Sequence, residues 1–151
     1  MNFPRIGTSG YNYTEWLGSF YPEDLAENRM LAFYGQHFDT VEINYTFYRM
    51  PTVRILQGWA KETPSDFIFS LKAPRRITHD LRLRDAADPL SFFTETAAAL
   101  KERLGVLLFQ LPPFLKKDAA RLEDFLHQVP EGFRTAFEFR NNTWYADEIF
   151  E

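Results

Sequence analysis

The sequence has no cysteine and only three histidines in 151 residues. Without cysteine there is no disulfide framework, no thiolate metal site and no thiol nucleophile. The 17 basic and 21 acidic residues give a formal net charge of −4. This charge provides no overall attraction to nucleic acid or to a membrane surface, although a local basic patch stays open.

Long apolar runs are also missing. No stretch approaches the roughly 20 apolar residues of a membrane span, and the start, Met-Asn-Phe-Pro-Arg, lacks the apolar core of a signal peptide. We therefore expect a cytoplasmic protein without a membrane partner. In contrast, 45% of the residues are hydrophobic and 17% aromatic, which is enough for a single domain with a core over residues 1–151.

Short apolar runs alternate with longer amphipathic stretches. The pattern predicts five strands, over residues 5–9, 40–44, 66–72, 105–111 and 134–140. It predicts helices over 31–37, 52–62, 89–103 and 118–128, and the start of another at 144. Asp118 is the expected N-cap of the fourth of these helices. Such strand–helix alternation indicates βαβ units and a parallel sheet.

Alternation within the strands distinguishes two kinds of parallel sheet. Each strand after the first puts apolar residues on one face and polar groups at the C-terminal end of the other: Glu42, Asn44, Lys72, Gln110, Glu138 and Arg140. A doubly wound sheet would bury these charges under helices. A TIM (β/α) barrel instead has a wet mouth at its strand ends, where active sites lie. The pattern favours the barrel.

The number of strands is too small for a complete barrel, which has eight strands in about 250 residues. Five predicted strands correspond to about five βα units of eight. An open sheet would expose two long parallel edges. We therefore expect a fragment, or a chain whose remaining strands are supplied by another chain.

Five ordered motifs at the strand ends carry a family resemblance. They are Gly7-Thr8-Ser9-Gly10-Tyr11 with Trp16, residues 38–44 with Phe47-Tyr48, Lys72-Ala73-Pro74 with Ile77-Thr78-His79, residues 110–113, and Glu138-Phe139-Arg140 with Trp144. The chain resembles the YecE-like family, domain of unknown function 72. The resemblance implies a TIM barrel of which this chain is the N-terminal portion, because family members continue through further strands. It implies no settled activity.

Glu42 and Glu138 are the candidates for general acid/base catalysis or metal ligation, because each points toward the predicted mouth. Lys72 and Arg140 lie at the same mouth and are candidates for binding an anion such as phosphate or carboxylate. The alternative for all four is a structural role, in which the carboxylates and cations form an internal ring of salt bridges.

His79 is the histidine we expect at the site, because it follows a strand on the predicted active face. Arg75 and Arg76 would extend the positive charge there as a phosphate-binding rim, or would simply be solvated loop charges. His37 and His127 lie late in helices, and we expect structural roles for them.

Neutral polar groups complete the candidate site. Asn44 and Gln110 can orient a substrate by hydrogen bonds, and the backbone around Ser9 can cradle an anion. The glycine spacing there matches no nucleotide-cofactor fingerprint, and no GxSxG elbow makes Ser9 a nucleophile. A divalent metal is conceivable, but no HxH or HExxH spacing supports it. The cofactor therefore stays unassigned.

Aromatic residues near the strand ends can form a wall for a sugar or a base. The candidates are Tyr11, Trp16, Tyr45, Tyr48 and Trp144. Core packing and loop anchoring explain the same residues as well.

Three functional hypotheses follow. The first is an enzyme of hydrolase or lyase type that acts on an anionic small molecule or nucleotide. The second is a nucleic-acid or phosphate-ligand binding protein without catalysis, a hypothesis that rests on fold analogy. The third is an inactive fragment, because a site built from eight loops loses several of them.

Overall fold

The computed structural model describes residues 4–150. Within this part of the chain, four strands form one parallel sheet in the order β1-β2-β3-β4. The strands are β1 (Thr40–Ile43), β2 (Ile68–Lys72), β3 (Leu104–Gln110) and β4 (Arg134–Glu138). The predicted strands after the first are thus confirmed, with bounds that differ by at most two residues.

The prediction of a full strand over 5–9 is wrong. Only Ser9 bridges β1, opposite Glu42, where Gly10 N–H donates to Glu42 O at 2.8 Å. The N–H of Ile6 donates instead to the Asp39 carboxylate at 2.9 Å. A side-chain acceptor therefore replaces the regular ladder, while the segment still runs beside β1 and brings Ser9 next to Glu42.

The helices alternate with the strands along the chain. They are α1 (Met30–Tyr34), α2 (Tyr45–Tyr48), α3 (Val53–Glu62), α4 (Ala87–Ala97), α5 (Ala119–Leu126) and α6 (Asp147–Phe150). Short 3-10 turns cover Thr14–Trp16, Glu27–Arg29, Ala98–Arg103 and Asn142–Trp144, and a π turn covers Arg76–Asp80. No helix among the described residues is long and apolar enough to cross a membrane.

Helix ends follow local chemistry more closely than periodicity does. Asp118 caps α5 as predicted, because its carboxylate accepts from Arg121 N–H at 3.1 Å. The helix predicted over 89–103 is α-helical only to Ala97, and the 3-10 continuation is broken at Lys101, whose φ is 53°. The predicted helix start at Trp144 is wrong, since a 3-10 turn ends at that residue and α6 begins at Asp147.

One face of the sheet is apolar and buried. Buried strand residues on this face are Val41, Ile43, Phe69, Leu71, Leu107 and Phe109. Phe109 packs edge-on against Phe93 of α4 and Phe125 of α5, with ring centroids at 6.3 and 5.1 Å. The opposite face carries half-buried polar groups such as Glu42 and Lys72. Glu42 and Lys72 lie near the C-terminal ends of β1 and β2, so the polar face is formed at that edge of the sheet.

Candidate functional site

A cleft of about 570 Å³ opens at the C-terminal ends of the strands. Its lining residues come from the segment beside β1, from all four strands and from the loops that follow them. They are Ser9, Tyr13, Glu42, Asn44, Phe47, Tyr48, Lys72, Gln110, Glu138 and Arg140. The structure therefore brings together seven of the predicted site residues from the strands and the first turn: Ser9, Glu42, Asn44, Lys72, Gln110, Glu138 and Arg140.

Glu42 is held by hydroxyl and amide groups. Ser9 Oγ donates to Glu42 Oε1 at 2.8 Å, and Asn44 Nδ2 donates to Ser9 Oγ at 2.6 Å. Among residues 4–150, no Lys, Arg or His nitrogen lies within 4.0 Å of the Glu42 carboxylate. Glu42 is thus a carboxylate without a salt-bridge partner at the mouth of the sheet.

Glu138 is held by an amide and a guanidinium. Gln110 Nε2 donates to Glu138 Oε2 at 2.7 Å, and Arg140 Nε donates to Oε1 at 2.9 Å. Burial alone raises the pKa of Glu138, but these two hydrogen bonds and the charges of Arg140 and Lys72 outweigh it and lower the pKa below its usual value. Glu138 therefore stays ionised at neutral pH.

Lys72 lies on β2, next to the strand of Glu42. Its ammonium is 5.2 Å from the centroid of the Phe47 ring, which is a cation–π distance. In the described part of the chain, no carboxylate oxygen lies within 4.0 Å of Lys72 Nζ. The salt-bridge ring considered from the sequence is therefore formed only at Glu138 and Arg140.

His79 lies on the π turn beside the cleft, at 5.0 Å from the Phe47 ring. Its Nδ1 is within hydrogen-bond distance of Thr78 Oγ1, at 2.9 Å. Burial is the largest effect on the pKa of His79 and lowers it, and the positive charge of Arg75 lowers it further. His79 is therefore a neutral imidazole at pH 7, next to the cleft lining rather than within it.

In the predicted rim of basic residues, one arginine is already paired with a carboxylate. Arg75 Nε donates to Asp80 Oδ1 at 3.2 Å, and both side chains are more than half exposed. Arg76 is exposed at the start of the π turn. The rim therefore offers less free positive charge than the sequence suggests.

The five residues of the predicted aromatic wall lie in four different surroundings. Tyr48 is 80% exposed and lines the cleft, while Tyr11 and Tyr45 line a neighbouring pocket. Trp16 packs against the rings of Phe20 and Tyr21. Trp144 is fully buried, and its Nε1 donates to Leu115 O at 2.7 Å. Neither tryptophan lines the cleft: Trp16 packs within its loop and Trp144 packs in the core.

Two residues that line the cleft, Tyr13 and Phe47, were not among the predicted site residues. Tyr13 OH donates to Ser9 O at 2.6 Å, in a turn where Gly10 has a φ of +82°. A Cβ on Gly10 would lie 2.5 Å from Tyr13 OH, so this turn requires glycine. The glycine after Ser9 is the signal that could have indicated Tyr13. Phe47 lies on α2, a short helix that the sequence pattern did not predict.

The described residues contain no cluster that would bind a metal. Within residues 4–150, no group of three or more His, Asp and Glu side chains is arranged to hold a metal ion. Glu42 and Glu138 are the two carboxylates in the cleft, and Glu138 already binds Arg140.

A parallel α/β sheet with a mixed-charge cleft at its strand ends defines the class of this protein. Its residues 5–151 match the DUF72 family, proteins of unknown function, and the chain belongs to this family. The resemblance inferred from the five motifs is thereby confirmed.

Two relatives show how much of a family member the chain corresponds to. The UPF0759 protein YunF of Bacillus subtilis is 31% identical over 158 residues, which cover 97% of this chain and 54% of YunF. The UPF0759 protein YecE of Escherichia coli K12 is 32% identical over 114 residues, 75% of this chain and 42% of YecE. The chain thus spans about half the length of these relatives.

Two solved structures share the fold. A DUF72 family protein from Thermotoga maritima superimposes with a TM-score of 0.85 at 32% identity, covering 97% of this chain and 59% of that one. A DUF72 family protein from Enterococcus faecalis gives a TM-score of 0.72 at 24% identity, covering 97% and 55%. The second likeness concerns the fold alone.

Proposed function

We propose that the cleft is the active site of an enzyme of hydrolase or lyase type that acts on an anionic small molecule or nucleotide. The observation that carries this proposal is the pair of unmatched charges on neighbouring strands. Lys72 has no carboxylate within 4.0 Å among the described residues, and Glu42 has no cation there. Both face one cleft. Groups left uncompensated at a concave site are typical of catalysis and binding.

The strand order supports placing this cleft at the mouth of an incomplete TIM barrel. The four strands follow one another in chain order without the reversal that a doubly wound sheet has at its switch point. Active sites of barrels lie at the C-terminal ends of the strands, where the cleft opens. The barrel, the substrate and the reaction are proposals for the whole protein.

Lys72 and Arg140 bind the anionic group of the substrate in this proposal. Arg140 uses Nε for Glu138, and its two terminal nitrogens make no hydrogen bond to residues 4–150. They can therefore donate to a phosphate or carboxylate in bidentate fashion. Glu138 acts as a positioning residue, because it holds the guanidinium while Gln110 holds Glu138.

Glu42 is the general base. Its carboxylate takes the proton from the attacking water in a hydrolase, or from the carbon next to the anionic group in a lyase. Ser9 orients it, through the hydrogen bond from Oγ. The neutral imidazole of His79, next to Phe47 of the cleft lining, can take up a proton at a ring nitrogen and then pass it to the leaving group.

Binding of inorganic phosphate to the chain tests the anion site directly. Calorimetry should detect phosphate binding that Lys72→Ala and Arg140→Ala each weaken by about tenfold, a loss expected for one charge-assisted contact. Lys61→Ala is the matched control, since Lys61 is exposed at the end of α3 and does not line the cleft. Phosphate binding that is absent, or unchanged in both cleft variants, would contradict the proposal.

A phosphate-ligand or nucleic-acid binding protein without catalysis would use the same cations together with exposed Arg76. This alternative predicts a steep fall of single-stranded oligonucleotide affinity with salt, whose slope decreases in Lys72→Ala. A flat salt profile rejects it. An inactive fragment would instead lack phosphate binding and show no cooperative thermal transition in this chain.

A further inference from the structure

A second pocket, of about 300 Å³, adjoins the cleft. It lies between the turn after Ser9, the end of β1 and helix α3. Its lining residues are Gly10, Tyr11, Asn12, Tyr13, Ile43, Asn44, Tyr45, Ile55 and Trp59. Tyr13 and Asn44 line the cleft as well, so these two side chains form a shared wall.

The chemistry of the second pocket differs from that of the cleft. Among residues 4–150, no acidic or basic side chain lines it, whereas Glu42, Lys72, Glu138 and Arg140 line the cleft. Four aromatic side chains, Tyr11, Tyr13, Tyr45 and Trp59, line the pocket together with buried Ile43. A lining of this kind suits an uncharged, planar group.

The rim of the second pocket leaves apolar surface in water. Tyr45 is 49% exposed and Ile55 44% exposed. The wall toward the cleft is fixed, because Tyr13 OH donates to Ser9 O and its ring packs 4.9 Å from that of Trp16. The Tyr11 phenol stays uncharged, since burial raises its pKa to about 12. The pocket is thus preformed, neutral and incompletely covered.

We infer that the cleft and the second pocket bind one ligand, an aryl-bearing anion whose ring lies against Tyr45 and Ile55 while its anionic group contacts Lys72 and Arg140. This inference rests on the proposed function and names the substrate class for that site. The apolar pocket meets the charged cleft at Tyr13 and Asn44, so an uncharged lining that suits a ring continues into a lining that holds Lys72 and Arg140.

Phenylalkyl phosphates with one to four methylenes between ring and phosphate are suitable probes, because the spacer varies the reach between the two pockets. Inorganic phosphate and the corresponding phenylalkyl alcohols are the matched single-site ligands. Calorimetry on the whole chain should show at least one phenylalkyl phosphate that binds tenfold or more tightly than inorganic phosphate, because ring burial adds to the ionic contact. The alcohols should bind more weakly than that phosphate.

The double variant Tyr45→Ala with Ile55→Ala locates the ring. Both residues are about half exposed, so the fold should be retained, which a thermal scan checks. We expect the variant to bind the best phenylalkyl phosphate no more tightly than inorganic phosphate, while its phosphate affinity stays unchanged. Phe92→Ala is the control, since Phe92 is 60% exposed on α4 and lines neither pocket.

The outcomes separate this inference from the proposed function. If inorganic phosphate binds in a Lys72-dependent manner but no ring improves affinity, the two-pocket ligand is rejected and the anion site survives. If ring-dependent binding persists in the double variant, the ring lies elsewhere and the inference is again rejected. If no phosphate binds at all, both proposals fail.

Discussion

The two ends of the cleft hold their carboxylates in different ways. At one end Glu42 accepts a hydrogen bond from Ser9 and has no cation within 4.0 Å among the described residues. At the other end Glu138 binds both Gln110 and Arg140. A carboxylate fixed by a guanidinium is poorly suited to exchange protons, whereas one held by a neutral hydroxyl keeps that ability. In the proposed mechanism, proton transfer therefore belongs to Glu42 and positioning to Glu138.

The largest expected effect is that of Glu42→Gln on turnover. With a substrate identified through the anion probes, this substitution should lower kcat by about 10²- to 10⁴-fold, the usual contribution of a general base. Phosphate affinity should stay within about twofold, since Glu42 contacts no bound anion in this assignment. Steady-state kinetics with a parallel phosphate titration measure both. A kcat equal to that of the unsubstituted chain would remove Glu42 from the mechanism.

Gly7→Ala should disturb the Glu42 end alone. A Cβ at Gly7 would lie 2.0 Å from Thr40 O, so the segment that carries Ser9 must move away from β1. We expect a loss of about 2–3 kcal/mol in the free energy of unfolding, typical of overpacking against backbone. Urea denaturation measures this loss. Gly58→Ala is the control, because no atom lies within 4 Å of a Cβ built there on helix α3.

The Gly7 variant also tests whether the two ends are independent. The Glu138 carboxylate makes no hydrogen bond to residues 4–10, the segment that carries Gly7 and Ser9. Its pKa, followed by carboxyl carbon NMR, should therefore stay lowered in Gly7→Ala. A Glu138 pKa that returns to its ordinary value in this variant would show that the ends are coupled.

Gln110→Ala should act on the Glu138 end. The Gln110 side chain is 9% exposed and donates to Glu138 at 2.7 Å. Its loss should cost about 1–2 kcal/mol, because a buried hydrogen bond and its packing disappear. Urea denaturation at neutral pH measures this cost. An exposed amide, Gln57→Ala on α3, is the control and should change stability by less than about 0.5 kcal/mol.

The same variant changes the acid dependence of stability. The folded-state pKa of Glu138 is depressed, so its stabilisation is present above the unfolded pKa and is lost as the pH falls through the folded pKa. Without Gln110 the folded pKa rises toward the ordinary value. The stability of Gln110→Ala should therefore fall less between neutral and acidic pH than that of the unsubstituted chain. An unchanged acid dependence would contradict the part assigned to Gln110.

The sequence was most informative where one geometric rule applies. Alternating side chains on parallel strands predicted that Glu42, Lys72, Gln110, Glu138 and Arg140 converge, because these strands end at one edge of the sheet. The rule uses only the position of each residue within its strand. It says nothing about which carboxylate pairs with which cation, since that depends on side-chain lengths and distances across the sheet.

Prediction failed where long-range side-chain contacts override local pattern. The segment over 5–9 has a strand-like sequence, but the Asp39 carboxylate and the Tyr34 hydroxyl take the N–H groups of Ile6 and Thr8. Trp144 follows a strand end, yet its indole reaches Leu115 O, 29 residues earlier, and is fully buried. Such partners lie far away in sequence, so no local pattern indicates them.

The smallest expected effect concerns His79 and the pH dependence of anion binding. Burial and then Arg75 lower the pKa of His79; Asp80 opposes this lowering, and Lys72 and Arg140 add smaller decreases. The imidazole is therefore neutral at pH 7 and gains its charge only as the pH falls below the ordinary histidine range. Sulfate is the suitable probe, because its charge is constant over this interval. Its affinity should rise about two- to fivefold on acidification, the effect of one partly exposed charge near the anion.

His79→Gln tests whether the imidazole causes the rise in sulfate affinity on acidification. Glutamine keeps a polar side chain next to Thr78 but cannot become charged, so the rise in sulfate affinity should disappear. His127→Gln, on the exposed residue after α5, should leave the rise intact. If the rise persists in His79→Gln, the imidazole is not its source. That result would remove His79 from the anion site.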